Sequence, residues 1–241
     1  LKTIISDKYG KTSSNVGDEG GFAPNIPSTA EALDNVVAAV EKANYTPGLD
    51  IVLGLDAAAS EFWDAENGVY KIDGRNLEPN DLVQYWLDLL EEYPLRSIED
   101  PFHQEDFDSY ALLTKKVRDI NIVTDDLTVS NVKRLQKAID EKAGNTLLLK
   151  VNQIGTLTEA LAAANMAFDN DYKVVVSHRS GETEDTTIAD IATGLCTGLI
   201  KSGAPCRSDR NAKYNQLLRI WEELGDKAAY PKTFDSWKGY I

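Results

Sequence analysis

Six polar residues able to do chemistry, Asp56, Glu99, Asp125, Lys150, His178 and Lys201, stand at the ends of short apolar runs, separated by 43, 26, 25, 28 and 23 residues. Three are carboxylates with no histidine among them. Such a set specifies oxygen ligation of a hard cation, and Mg²⁺ fits best because it leaves positions for a substrate anion. Lys150 interrupts LLLKVNQ, a run that otherwise reads as a strand covered on both faces. A buried lysine is paired or chemically employed, although taken alone this one could equally be a snorkelling residue at a strand edge. A cation facing a lysine suits removal of a proton next to a carboxylate. The metal stabilises the doubly charged enolate while the lysine takes the proton. Neighbouring positive charge, here the metal and Lys201, favours the neutral amine that such a base needs. Beside His178 stand Ser177, Arg179 and Ser180, donors suited to a phosphate or carboxylate. The stretch Asp18–Glu19–Gly20–Gly21 puts two carboxylates beside two glycines, and by itself reads as a solvated turn.

Each of these groups needs an element to present it. The runs IVLGLD, SIEDPF, NIVTDD, LLLKVNQ, KVVVSHRSG and a weaker GLIKSGAP read as strands. Helices are expected over Asn80 to Glu92, about Asp106 to Val117, Asn131 to Lys142, Leu157 to Ala167, about Asp185 to Leu195, and Arg210 to Leu224. An earlier helix opens at Ser28, where Glu31 completes a capping box and Leu33, Val36, Val37 and Val40 fall on one face. Gly10 suits a helix C-cap, and the stretch from Asp64 to Pro79 reads as a loop or small hairpin. Strands alternating with helices at this spacing imply right-handed crossovers and a parallel sheet. The fold class is therefore α/β, either a (β/α)₈ barrel lacking its first part or a doubly wound sheet. The barrel is favoured, since every strand delivers a polar group at its C-terminal end, where barrel enzymes gather their sites. A doubly wound sheet concentrates its site at one switch point, usually after a G-x-G-x-x-G turn, and none is present.

Composition bounds the rest. With 241 residues and 42% apolar content, the chain can bury one sizeable core. Its 39 carboxylates against 25 Lys and Arg give a net charge of −14, which argues against nucleic acid or an anionic membrane as partner. Cys196 and Cys206 make neither a metal spacing nor a disulfide framework, so a reducing compartment is expected. No run approaches the roughly 18 apolar residues of a membrane span. The first residue is Leu1 rather than Met, so the chain is expected to start partway through a longer product.

The segments NVGDEGGFAPN, SIEDPF, DDLTVSN, LLLKVNQIGT, SHRSGETEDT and IKSGAPCRSDR, in this order, closely resemble the enolases, and intact KVNQIGT and SHRSGETED make the likeness eukaryotic-type. The resemblance runs from Leu1 to about Asp226 and fades in the aromatic tail. It implies an enolase-type TIM-like barrel lacking the N-terminal domain and the first barrel strands, so that residues 1–241 form one catalytic domain incomplete at its N-terminal end. It also implies Mg²⁺-dependent dehydration of 2-phosphoglycerate to phosphoenolpyruvate in a cytoplasmic glycolytic enzyme, a homodimer in the full-length protein. A lysine base with Mg²⁺ is the known arrangement of the enolase superfamily. Carried over, Lys150 would take the C2 proton and Glu19 would protonate the departing hydroxyl. Asp56, Glu99 and Asp125 would bind Mg²⁺, with a second Mg²⁺ joining through the substrate. Ser177, His178, Arg179 and Ser180 would hold the phosphate and carboxylate end, and Lys201 would neutralise the carboxylate.

The family also has a mobile-loop serine, a histidine and a glutamate that precede the region seen here, and Glu19 is expected to work beside that glutamate. A polypeptide beginning at Leu1 is therefore expected to turn over weakly or not at all. Thr187, Asn211 and Trp221 depart from the family pattern at positions that bear on packing rather than chemistry. A catalytically silent fragment or paralogue with a binding role, and a superfamily enzyme with another carboxylate substrate, remain as alternatives.

Overall fold

The computed structural model describes residues 1–229. The aromatic tail with Tyr230, Pro231, Phe234, Trp237 and Tyr240 lies outside them. The chain forms two compact units. The first comprises Leu1–Asn15, Phe22–Thr128 and Gln136–Asn145; the second comprises Val16–Gly21, Val129–Leu135 and the chain from Thr146 on.

The first unit opens with α1 (Lys2–Tyr9) and α2 (Thr29–Lys42). Ser28 caps α2 as expected, its hydroxyl accepting from the Glu31 amide at 3.3 Å. The capping box is not reciprocal, however. The Glu31 carboxylate turns instead to the Tyr9 hydroxyl at 2.6 Å and Lys8 at 2.8 Å, which ties α1 to α2. Strand β1 (Leu53–Asp56) follows, then a small antiparallel sheet of β2 (Trp63–Asp64), β3 (Val69–Ile72) and β4 (Arg75–Leu77), the hairpin foreseen between Asp64 and Pro79 with one strand more. Helix α3 (Pro79–Glu92) starts one residue before its expected position, because proline fits the first helical turn, where its missing N–H would be unsatisfied anyway. Then come β5 (Leu95–Glu99), α4 (Phe107–Lys116) and β6 (Asn121–Thr124).

Strands β1, β5 and β6 pair in parallel, with Asp56 opposite Glu99 and Glu99 opposite Val123. The core beneath them is aromatic: Tyr70, Trp86, Phe102 and Tyr110 are each at most 1% exposed. Its polar tips are bonded, the Trp86 indole to the Pro101 carbonyl and the Tyr70 hydroxyl to Asp106. These bonds tie the turn after β5 back to α3 and the start of α4 to β3.

Helix α5 (Val132–Glu141) contains the boundary between the units. The second unit continues with β7 (Thr146–Leu149), the single turn α6 (Val151–Ile154), α7 (Leu157–Asp169), β8 (Lys173–Ser177), α8 (Thr187–Gly194), β9 (Ile200–Lys201) and α9 (Ser208–Leu224). Strands β7, β8 and β9 are again parallel, with Leu149 opposite Val176 and Ser177 opposite Lys201. Leu147, Leu148 and Leu149 are fully buried. The strand nevertheless stops before Lys150, which is the N-cap of α6 rather than an interruption within a strand. Among the described residues no helix is long and apolar enough to cross a membrane.

Candidate active site

In the first unit the carboxylates gather where the parallel strands end. Asp56 and Glu99 close β1 and β5 as register partners, and partners on adjacent strands lie about 5 Å apart. Asp125 follows the last residue of β6 and is buried, as is Glu99, whereas Asp56 is exposed. One carboxylate oxygen from each of Asp100, Asp125 and Asp126 lies within 4.8 Å of the others. This cluster shares only Asp125 with the trio expected to hold a metal.

Asp100 has another occupation. Its oxygens accept from the amides of Asp125 and Asp126, each at 2.9 Å, and from the Tyr110 hydroxyl at 2.9 Å. The residue sits in the left-handed region at φ 42°, a strained conformation that its hydrogen bonds hold in place. Asp100 is thus a brace that sets the direction of the Asp125–Asp126 segment. Burial, reinforced by the Asp125 charge, pushes its carboxyl up to about 7 against the pull of the two amides and the tyrosine. An all-oxygen donor set of Asp56, Glu99 and Asp125 fits a hard divalent cation.

In the second unit the GDEGG segment folds onto residues far along the chain. Gly17 and Gly21 close the turn by an N–H···O bond of 2.9 Å, and the Glu19 carbonyl accepts from the Ala204 amide at 2.9 Å. A β-carbon on Gly20 (φ 79°) would lie 2.5 Å from the Cys206 carbonyl oxygen, so only glycine allows this approach. The Glu19 side chain then meets the Ser180 hydroxyl, which donates to it at 2.7 Å across 161 residues, and faces His178 Nε2 at 3.5 Å. Ser177 and His178 are buried, Arg179 and Lys201 half-buried and Ser180 exposed. The Arg179 guanidinium reaches Asn152 at 3.3 Å.

The electrostatics separate the two central groups. Burial pushes the Glu19 carboxyl up, but the Ser180 hydroxyl and the positive charge of Lys201 and Arg210 overrule it, leaving the group below its ordinary value. The loop is therefore no solvated turn. Burial lowers His178 to about 4 against the upward pull of the Glu19 charge, with Arg210 and Lys201 reinforcing burial, so its 3.5 Å contact with Glu19 is not an ion pair at neutral pH. Lys150 is half-buried, and its backbone amide donates to Ser130 Oγ at 2.9 Å, while that hydroxyl donates to the Leu148 carbonyl at 3.1 Å. Ser130 so fixes the point where β7 turns into α6.

Sequence reasoning missed Arg210 and Lys213, respectively 0% and 1% exposed. Lys213 holds the loop after Arg179, bonding Glu182 Oε2 at 2.6 Å and the Thr183 carbonyl at 2.5 Å. Both residues lie in a helix of mixed polarity, and only the packed structure reveals a buried basic face there.

A family model described as the enolase C-terminal TIM barrel domain matches residues 1–236. The enolases of Methanococcoides burtonii and Methanocaldococcus jannaschii are each 58% identical, over 230 and 225 residues; these alignments cover 95% and 93% of this chain, and 53% and 52% of the relatives. That of Thermococcus kodakarensis is 54% identical over 232 residues, 96% of this chain and 54% of the relative. The chain thus spans about half the length of the curated relatives it matches. The barrel, favoured over the doubly wound sheet, is the fold of the matching family, and the chain belongs to the enolase family, as its C-terminal TIM barrel domain.

Proposed function

We propose that this chain supplies the catalytic barrel of an Mg²⁺-dependent phosphopyruvate hydratase, which removes the C2 proton of 2-phosphoglycerate and expels its 3-hydroxyl to form phosphoenolpyruvate. The observation that carries the reading is the meeting of Glu19 with Ser180 and His178 across 161 residues of sequence, beside the positive charge of Lys201. An elimination of this kind needs a proton donor close to the groups that grip the phosphate.

In this reading Asp56, Glu99 and Asp125 hold the cation, which when bound supplies charge stabilisation for the enolate. Lys150 accepts the proton from C2. Ser177, His178, Arg179 and Ser180 bind the phosphate and carboxylate end, with Arg179 as the main phosphate clamp, and Lys201 neutralises the carboxylate. Glu19 is held ionised without substrate. The phosphate and carboxylate of the substrate bring negative charge beside it and offset Lys201, so the Glu19 carboxyl rises and can deliver a proton to the leaving hydroxyl. The same reading carries a cytoplasmic, glycolytic role and a homodimeric full-length protein. It carries no nucleic-acid partner, in line with the net charge of −14.

The test is phosphoenolpyruvate formation from 2-phosphoglycerate, with and without Mg²⁺, on a sample whose intact mass has been verified. Mg²⁺-dependent turnover is expected from a chain carrying the preceding family segments. Failure of that longer chain to turn over, with Mg²⁺ bound, would favour a silent paralogue.

A further inference from the structure

Arg210 is fully buried in the first turn of α9, and four of its five N–H donors are spent on two separate loops. Nη1 donates to the Arg179 carbonyl at 2.7 Å and lies 2.5 Å from His178 Nδ1. Nη2 donates to the Asp18 carbonyl at 2.9 Å and the Ser180 carbonyl at 2.6 Å. Nε lies 3.2 Å from Asp209 Oδ2. Room for this stem depends on Gly203, where a β-carbon would lie 2.8 Å from Arg210 Cδ and 2.6 Å from the Glu19 carbonyl oxygen. One guanidinium therefore joins the turn that carries Glu19 to the turn that carries Arg179 and Ser180.

The contact with His178 has a chemical consequence. A guanidinium has only donors, so the imidazole nitrogen it meets must accept. Nδ1 is then unprotonated, and a neutral ring carries its proton on Nε2. That nitrogen is buried without a hydrogen-bond partner and lies on the Glu19 side of the ring. We propose that Arg210 is a positioning residue that locks His178 as the neutral Nε2–H tautomer, a donor aimed at the substrate, and that fixes Glu19 relative to the phosphate loop. The proposal rests on the enolase reading for what the donor addresses, but the tautomer itself does not.

Lysine at 210 would keep the charge but lose the planar fork, so it could serve one loop but not both. The experiment is long-range ¹H–¹⁵N correlation of the histidine rings in the whole chain at pH 7, with and without Arg210→Lys or Arg210→Met. The chain has two histidines, His103 and His178, so His103→Gln completes the assignment. The wild-type His178 ring is expected to show a proton on Nε2 alone, and each variant a mixture of tautomers. In parallel, in a chain carrying the preceding family segments, kcat/KM for 2-phosphoglycerate should fall about 100-fold, the cost of a misplacement near 1 Å, with the loss mainly in kcat. A wild-type ring protonated on Nδ1, or on both nitrogens, would overturn the proposal without any variant. So would a folded variant that keeps the pure Nε2–H form. A wild-type protein that carries the preceding family segments, binds Mg²⁺ and shows the Nε2–H tautomer but does not turn over would instead count against the enolase reading alone.

Discussion

Glu19 and His178 face each other at 3.5 Å, yet their surroundings drive them apart, the carboxyl towards its charged form and the imidazole towards its neutral one. For His178 the effect on stability has a definite sign. The unfolded ring takes a proton near 6.5 and the folded ring near 4, so between those values the unfolded chain holds more protons. The His178 contribution to stability should therefore fall as pH drops through that window, by on the order of 3 kcal/mol in full, while the raised Asp100 carboxyl contributes in the opposite direction. Urea unfolding at pH 7 and pH 4.5 measures it. His178→Gln should raise stability at pH 4.5 relative to that at pH 7 by removing this contribution, and an unchanged pH dependence in the variant would assign the effect to another group. At Lys150, removal of the amine by Lys150→Ala should abolish isotope exchange at C2 of 2-phosphoglycerate while leaving Mg²⁺ binding nearly intact; retained exchange would exclude it as the base.

At the level of elements, parallel strands deliver polar groups in register, but the loops beyond them decide where those groups end up. Strands β1 and β5 set Asp56 beside Glu99 through backbone register. The Asp125–Asp126 segment is different, since Asp100 grips both amides and Tyr110 grips Asp100. The Glu19 turn relies on close backbone approach. Gly20→Ala would force a left-handed alanine against the Cys206 carbonyl, so a loss of more than about 1 kcal/mol in unfolding free energy is expected, together with a sharp fall in turnover. An alanine variant that melts and works like the wild type would show that the turn can relax.

For the whole molecule, an acidic chain that collects carboxylates at strand ends bears a repulsion that a divalent cation relieves. Mg²⁺ at 100 times its dissociation constant should raise the unfolding free energy by about 2.7 kcal/mol, with EDTA reversing the gain. Thermal unfolding scans read this directly. Asp125→Asn should remove most of the Mg²⁺ response; the same response in the variant would rule out Asp125 as a ligand.

Much of this was legible in the chain alone. Apolar runs of four or five residues alternating with amphipathic stretches specify strands and helices through local periodicity, and these elements formed within a few residues of their expected bounds. The polar group at each strand end was equally visible, because sequence order along a parallel strand is spatial order. Contacts between loops were not. Glu19 meets Ser180 across 161 residues, and Arg210 reaches Asp18 across 192; no local pattern encodes either pairing. Nor does a sequence show that Glu31 leaves its capping box for Lys8 and Tyr9, or that Asp100 spends its oxygens on backbone amides. The residue types and their presentation on strand ends were decided by the sequence through short-range propensity and polarity. Which of them are buried, which nitrogen His178 turns to Arg210 and which carboxylate grips backbone amides were decided by the tertiary structure, because burial and hydrogen-bond partners exist only once distant segments have packed.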